Sequence, residues 1–258
     1  MAESPTSTDR IRAILVIVAT FGTIAFNFLA TAGKINSVTS AEISDKYPTL
    51  VTPAGYAFAI WSLIYAGLIA FSIYQLLPAN AARYRNIRTL YVLSCAINCG
   101  WLYFWHHDQI AICLGLIVLL AASLFIVNRN LRARGTTWEY WLVKAPFGIY
   151  FGWVSAAMLV NFAILLVYLN FQLSETAWTT ISVALILFAA LLGIIFRMRL
   201  SSYLAPLAIA WALTAIAVKQ SGHTATVVAA AIGVVVCLIA TLSFVVKLPT
   251  RSTSTQLP

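Results

Sequence analysis

Charged residues are scarce in this chain. Asp, Glu, Lys and Arg make up only 9% of its 258 residues, whereas hydrophobic residues make up 62%. Soluble domains carry roughly 25% charged residues, so this composition excludes an ordinary water-soluble globule. The apolar runs are long, and lipid offers no partner to an open strand edge, so the runs are expected to form helices. The predicted fold class is therefore an all-α integral membrane protein.

Carboxylates are especially few, and all of them avoid the middle of the apolar runs. They are Glu3, Asp9, Glu42, Asp45, Asp108, Glu139 and Glu175. Transporters coupled to protons or sodium usually place ionisable groups near the midplane of the bilayer. The sequence therefore argues against coupled transport, and it offers no general acid–base pair inside the membrane. It also lacks a glycine-rich phosphate loop, a nucleophile elbow and an HExxH sequence.

Cysteine and histidine are equally sparse. Cys95, Cys99, Cys113 and Cys237 all lie in apolar runs without a CxxC spacing, which indicates neither a disulfide framework nor a zinc site. Of the three histidines, His106 and His107 are adjacent, and adjacent side chains on a helix point about 100° apart. A metal or haem-ligating site is the weaker reading of these histidines, and residues at the membrane interface are the better one.

Eight apolar segments approach the roughly 20 residues that a spanning helix needs. They are 12–33, 54–77, 89–105, 110–128, 141–170, 176–196, 203–219 and 224–246. Basic residues follow them on alternate sides: Arg10, Arg12, Arg83, Arg85, Arg88, Arg129, Arg132, Arg134, Arg197, Arg199, Lys247 and Arg251 lie on one side, and Lys34, Lys46 and Lys219 on the other. The positive-inside rule then places both termini in the cytoplasm. The net charge of +9 is thus explained by topology, and no nucleic-acid partner is expected.

Three of these segments carry polar and aromatic residues that a bare membrane span does not need. The sets are Pro53, Trp61 and Tyr65; Asn98 and Trp101; and Tyr150, Trp153, Ala157 and Asn161. Trp and Tyr also form belts at membrane interfaces, and Asn often joins helices by hydrogen bonds. Trp61, however, lies about 12 Å along a helix from Pro53, which is deep for a belt. The sets therefore favour the walls of a ligand pocket.

In these three places the chain resembles the translocator protein family, the tryptophan-rich sensory proteins (TspO/MBR). The matching patterns are Pro-x(7)-Trp-x(3)-Tyr at Pro53, Asn-x-x-Trp at Asn98, and Tyr-x-x-Trp-x-x-Ala-Ala-x-x-x-Asn at Tyr150. The resemblance covers about residues 11–170. Segments six to eight have no counterpart in that five-helix family, and the tryptophan of the family's Pro-x-Trp-x-Pro-Pro sequence is missing before Pro53.

The resemblance implies a five-helix bundle with a pocket for a flat hydrophobic molecule, such as protoporphyrin IX or a sterol-like compound. The residues expected to bind it are Trp61, Tyr65, Asn98, Trp101, Tyr150, Trp153, Ala157 and Asn161. The expected role is membrane-embedded binding or sensing, with facilitative transport of a lipophilic metabolite as the alternative. No cofactor is required, although a porphyrin could be bound. Enzymatic activity stays open, and it would be limited to light-dependent oxidation of that porphyrin.

The expected organisation has four parts. A polar N-terminal tail, 1–10, precedes the five-helix core, 11–170; a three-helix membrane extension, 171–248, and a polar C-terminal tail, 249–258, follow. Loop 33–52 is long enough to be either a lid over the pocket or a simple tether. The protein is expected to be a multi-pass protein of a bacterial plasma membrane. Its partners would be the lipid bilayer, the hydrophobic ligand and, as a further option, a second copy of itself.

Overall fold

The structure, a computed structural model, describes residues 6–132 and 135–243. The predicted C-terminal tail, the end of the predicted extension from residue 244, and Arg134, Lys247 and Arg251 lie outside these residues. Every regular element within them is helical. The α-helices are α1 Ser7–Thr31, α2 Ser40–Lys46, α3 Ile60–Tyr74, α4 Arg85–His106, α5 Ile110–Asn130, α6 Thr137–Glu139, α7 Ala145–Tyr168, α8 Glu175–Leu200, α9 Leu204–Lys219 and α10 Thr224–Leu242. Short 3₁₀ turns form at Gly55–Ala59 and Pro78–Asn80.

A helix forms at each of the eight predicted segments, but six are long and apolar enough to cross a membrane by length and composition. The six are Ser7–Thr31, Gly55–Tyr74, Ile110–Asn130, Thr137–Tyr168, Glu175–Leu200 and Thr224–Leu242. The sixteen residues of α9 reach about 24 Å at helical rise, short of the roughly 30 Å hydrocarbon core. Helix α4 includes the polar side chains of Arg85, Arg88 and Asn98. The count of eight spans therefore stays a prediction.

Helix α1 begins at Ser7, within the stretch 1–10 that was predicted as a polar N-terminal tail. A capping box sets this start: the Thr6 side chain accepts a hydrogen bond from the Asp9 backbone N–H, and the Asp9 carboxylate accepts one from the Thr6 N–H. Such a box satisfies backbone donors that the first helical turn would otherwise leave unpaired. The Asp9 carboxylate also accepts two hydrogen bonds from Arg85 on α4, at 2.8 and 2.7 Å.

Five helices form a closed ring. Helix α4 packs between α1 and α5, α7 packs against α5 and α3, and α3 returns to α1. The core of the ring is apolar, with Phe71, Tyr91 and Phe147 fully buried at one level. These rings meet edge to face, at centroid distances of 4.9 to 5.6 Å, which is a favourable arrangement for aromatic pairs.

Pro146 shapes the start of α7. Proline has no backbone N–H and cannot continue a regular helical hydrogen-bond ladder. The residues just before it, Tyr140–Lys144, form a π turn, which accommodates the interruption without ending the helix. The Pro146 ring packs against Gly67 of α3, where an added Cβ would lie 2.7 Å from the Pro146 Cβ.

Helix α9 packs directly on the five-helix ring. It contacts α7, α8 and α10. Gly152 of α7 makes the closest approach, because an added Cβ there would lie 2.2 Å from the backbone oxygen of Ala205. Small residues allow two helix backbones to come this near in a membrane. The boundary predicted after residue 170 therefore separates α7 from α9, two helices whose backbones are in contact.

Candidate functional site

A cavity lies inside the ring of five helices. Its walls come from the segment before α3 and from α3, α4, α5, α7 and α9, with Ser44 of α2 above it. The lining residues are Ser44, Pro53, Phe58, Trp61, Asn98, Trp101, Trp105, Ile117, Leu120, Trp153, Val154, Ala156, Ala157, Val160, Asn161, Ala212 and Ile216. None of these described side chains is ionisable. An enclosed, mostly apolar space with a few polar groups is the usual form of a small-molecule site.

Six of the eight residues predicted to bind ligand line this cavity: Trp61, Asn98, Trp101, Trp153, Ala157 and Asn161. Tyr150 does not; it is buried behind the wall, with its ring edge-to-face on Trp61 at 5.7 Å. Tyr65 does not either; it stacks on the outer side of Trp61 at 5.4 Å and lines a different space. The structure thus brings the three predicted sets together, and their role in binding stays a prediction.

Four tryptophans surround the cavity. Trp101 and Trp105 stack on each other at 5.4 Å with 22° between their planes. On the other side, Trp61 and Trp153 meet edge to face at 6.5 Å, and Phe58 meets Trp153 at 6.1 Å. The two pairs present flat, polarisable surfaces, which suit a flat apolar ligand.

The two asparagines of the cavity differ in how their amides are used. The Asn161 Oδ1 accepts a hydrogen bond from the Trp101 indole at 3.2 Å, and its Nδ2 donates to the Ala157 carbonyl at 2.9 Å. The Asn98 Oδ1 accepts from the Asn27 Nδ2 at 3.1 Å. The Asn98 Nδ2, by contrast, is buried without a hydrogen-bond partner among the described residues. Asn161 therefore braces the wall, and Asn98 keeps one donor available.

The cavity is small, with a volume of about 40 Å³. A flat ligand of drug-like size therefore needs wall side chains to move. Phe58 and Trp61 also line a second and roomier groove, so these two side chains form the wall between the two spaces.

Loop 33–52 is fastened over the cavity by several bonds. Ser44 and Pro53 face the cavity, the Trp105 indole donates to the Ser40 carbonyl at 3.2 Å, and the Tyr47 hydroxyl donates to Asp108 at 2.8 Å. Lys46 also pairs with Asp108, and this hydrogen bond raises the pKa of Lys46 above its ordinary value. The loop is thus positioned as a cover, although its movement as a lid stays a prediction.

Helix α9 contributes to the site in a way that sequence patterns did not indicate. Ala212 and Ile216 form part of the cavity wall. At the C-cap of this helix, the Gln220 Nε2 donates to the carbonyls of Thr49 and Thr52 at 3.0 and 3.1 Å. The Trp211 indole donates to the Ala57 carbonyl at 3.0 Å. Helix α9 therefore holds the chain that leads from the loop into α3.

The histidines lie away from the cavity lining. The His106 Nδ1 is 2.8 Å from the Leu102 carbonyl, and the His107 Nδ1 is 2.8 Å from the Tyr103 carbonyl. In the part of the chain that the structure describes, no group of three His, Cys, Asp or Glu residues could hold a metal ion. The four cysteines are free thiols in helices.

The fold and the cavity define an all-helical membrane protein with an internal aromatic pocket, and comparison with known proteins agrees with this class. A family model described as TSPO-like protein matches residues 13–244. The chain therefore belongs to the TSPO-like family, and a membrane binding, sensory or transport role follows at the level of the family. A search of curated proteins and a search of solved structures each gave no significant match.

The family match also corrects the extent of the resemblance. It was expected to end near residue 170 and to leave the last three helices without a counterpart. Instead it runs through α8 and α9 and past the end of α10 at Leu242. Because α9 completes the wall of the cavity, the matched region includes every residue that lines the cavity. Sequence patterns alone missed this, since Ala212 and Ile216 carry no polar or aromatic signal.

Proposed function

We propose that this protein binds a flat hydrophobic ligand in the cavity, most plausibly a tetrapyrrole such as protoporphyrin IX, in a sensory role. The observation that carries the proposal is the unpaired Asn98 Nδ2 inside a space walled by four tryptophans. A buried donor without a partner costs about 1–3 kcal/mol. A ligand that places an acceptor atom at this position would recover much of that cost.

The chemistry of the lining narrows the ligand further. The described walls offer aromatic faces, aliphatic groups and one free amide donor, and no counter-ion for a buried charge. Burying an unpaired charge is far more costly than burying an apolar surface. The part of the ligand inside the cavity is therefore uncharged, and the carboxylates of a porphyrin would have to extend towards the loop side, near Ser44.

Room for such a ligand would come from movement of Phe58 and Trp61, which lie between the cavity and the outer groove. If Phe58 and Trp61 rotate towards the outer groove, the cavity of about 40 Å³ joins a space of about 550 Å³. These two rings are packed against the hydrophobic core and make ring contacts with Tyr65, Tyr150 and Trp153. Each such contact contributes about 0.5–1.5 kcal/mol beyond burial, a cost that ligand stacking on the same rings can offset.

The test is a titration of the purified protein in nanodiscs with protoporphyrin IX in the dark, followed by tryptophan fluorescence. Trp153→Phe and Asn161→Ala are titrated alongside, with empty nanodiscs as the control for partition into lipid. Saturable quenching that both variants weaken about two- to tenfold supports the proposal, since one aromatic contact is worth about 0.5–1.5 kcal/mol. Linear quenching that is identical in empty nanodiscs would contradict it.

A second candidate function is facilitative transport of a lipophilic metabolite. It is favoured by a recess of about 900 Å³ beside the cover of the cavity, whose mixed polar and apolar lining includes Asp45, Gln220 and Phe171. The cavity therefore has this partly polar recess beside its cover and the apolar outer groove beside Phe58 and Trp61. Flux of the ligand into proteoliposomes that Trp153→Ala abolishes would favour transport over binding alone. Turnover of the porphyrin in light but not in darkness would instead indicate photo-oxidation.

A further inference from the structure

An apolar groove runs along the outside of the helical ring between α1 and α3. Its volume is about 550 Å³, compared with about 40 Å³ for the cavity. Ile24 and Phe28 form one side, and Ala59, Ser62 and Tyr65 form the other. In the part of the chain that the structure describes, none of its lining side chains is charged.

The groove faces the lipid. Phe28 is 70% exposed on the outside of α1, and Ala59 and Ser62 are exposed on the outside of the α3 segment. Both α1 and the segment Gly55–Tyr74 are long and apolar enough to span the membrane. An apolar surface that points outward from such helices is in contact with the hydrocarbon core.

One end of the groove is polar. Thr31, Thr39 and Ser40 lie there, at the end of α1 and the start of α2. Hydroxyls at one end of an otherwise apolar groove match an amphipathic molecule better than they match a plain hydrocarbon chain.

The groove and the cavity share a wall of two aromatic rings. Phe58 and Trp61 line both spaces. On the groove side Trp61 stacks on Tyr65, and on the cavity side it meets Trp153 edge to face. Rotation of these two side chains would therefore connect the lipid with the inside of the ring without unfolding a helix.

We propose that this groove is a docking site for the ligand on the lipid side, and that the ligand passes from it into the cavity between Phe58 and Trp61. This inference rests on the proposed function. The occupant is a flat amphipathic lipophile with a hydrogen-bond acceptor, its polar end at Thr31, Thr39 and Ser40. Such a molecule partitions into the membrane first, so its route to the cavity runs sideways through the ring.

The test compares Ser62→Phe with Leu63→Phe in nanodiscs. Ser62 lines the groove and not the cavity, whereas its neighbour Leu63 is 58% exposed on the same helix and lines neither space. Binding and release of protoporphyrin IX are followed by stopped-flow tryptophan quenching, with the porphyrin delivered from vesicles. Ser62→Phe is expected to slow both association and dissociation about tenfold and to leave the equilibrium Kd within about twofold of the parent. Leu63→Phe is expected to change neither rate.

The outcomes separate the two proposals. If the parent protein binds saturably but Ser62→Phe keeps the parental rates, the groove holds only lipid chains and the lateral route is wrong, while the cavity site survives. If the parent protein shows no saturable binding, the proposed function and the lateral route both fall.

Discussion

Gly152→Ala is the sharpest structural perturbation that the fold offers. The added Cβ would lie 2.2 Å from the Ala205 oxygen and 2.9 Å from its carbonyl carbon, whereas ordinary contacts begin at 3.4 Å. Because the obstacle is backbone, α7 and α9 must separate by about 1 Å. Overpacking of this kind costs about 1–3 kcal/mol, here towards the upper end, and the better helix propensity of Ala returns about 1 kcal/mol. The expected net loss is about 2 kcal/mol.

The assay is thermal unfolding of the purified variants in detergent, followed by tryptophan fluorescence. A loss of about 2 kcal/mol should lower the midpoint by roughly 4–8 °C for a chain of this size. Gly115→Ala on α5 is the matched control, because its added Cβ meets nothing within 4 Å; it should keep or raise the midpoint. Equal midpoints for the two variants would refute the close α7–α9 contact, and with it the view that α9 completes the cavity.

Three further predictions concern the cover and the wall. Gln220→Leu removes two hydrogen bonds to loop carbonyls, each worth about 1 kcal/mol. Hydrogen exchange at residues 49–54 should therefore accelerate about 30-fold. Unchanged exchange would contradict the view that Gln220 holds this segment in place. Hydrogen bonds from Thr39 hold the pKa of Glu42 below its ordinary 4.5, so this cap stabilises α2 above that pH and is lost as pH falls through the lowered pKa. NMR of residues 40–46 should show acid fraying that Glu42→Gln lacks. Trp101→Phe leaves the Asn161 Oδ1 without its hydrogen-bond donor and should lower the free energy of unfolding by about 1–3 kcal/mol. Adding Asn161→Leu should recover part of this loss in thermal unfolding. No recovery would mean that the hydrogen bond does not stabilise the wall.

Much of the site was predictable from helical spacing. Trp153 and Asn161 lie eight residues apart, which is close to two helical turns and one face, and the structure places both in the cavity. Trp105 also lies on the face of Trp101, one turn later, so the same spacing could have identified it. Tyr65 shows the limit of this reasoning: it shares a face with Trp61, but that face is wide enough for one ring to border the cavity and the next to border the lipid groove.

Other features lie beyond what one sequence contains. Ala212 and Ile216 are ordinary packing residues in composition, and only the approach of α9 to Gly152 brings them to the cavity. Hydropathy does not fix the number of spans, because α9 is short and α4 carries polar side chains. A helix that is buried among other helices needs neither the length nor the apolar surface of a helix that faces lipid.

The most direct test of the account is to fill the cavity. Ala157→Trp places an indole in the cavity wall, and Leu119→Trp places the same group on the outer surface of α5, where Leu119 is 56% exposed. Both variants are titrated with protoporphyrin IX in nanodiscs, with porphyrin absorbance as the signal. The account predicts that Ala157→Trp loses saturable binding and that Leu119→Trp keeps the parental Kd. Parental binding by a correctly folded Ala157→Trp protein would contradict the claim that the ligand occupies this cavity.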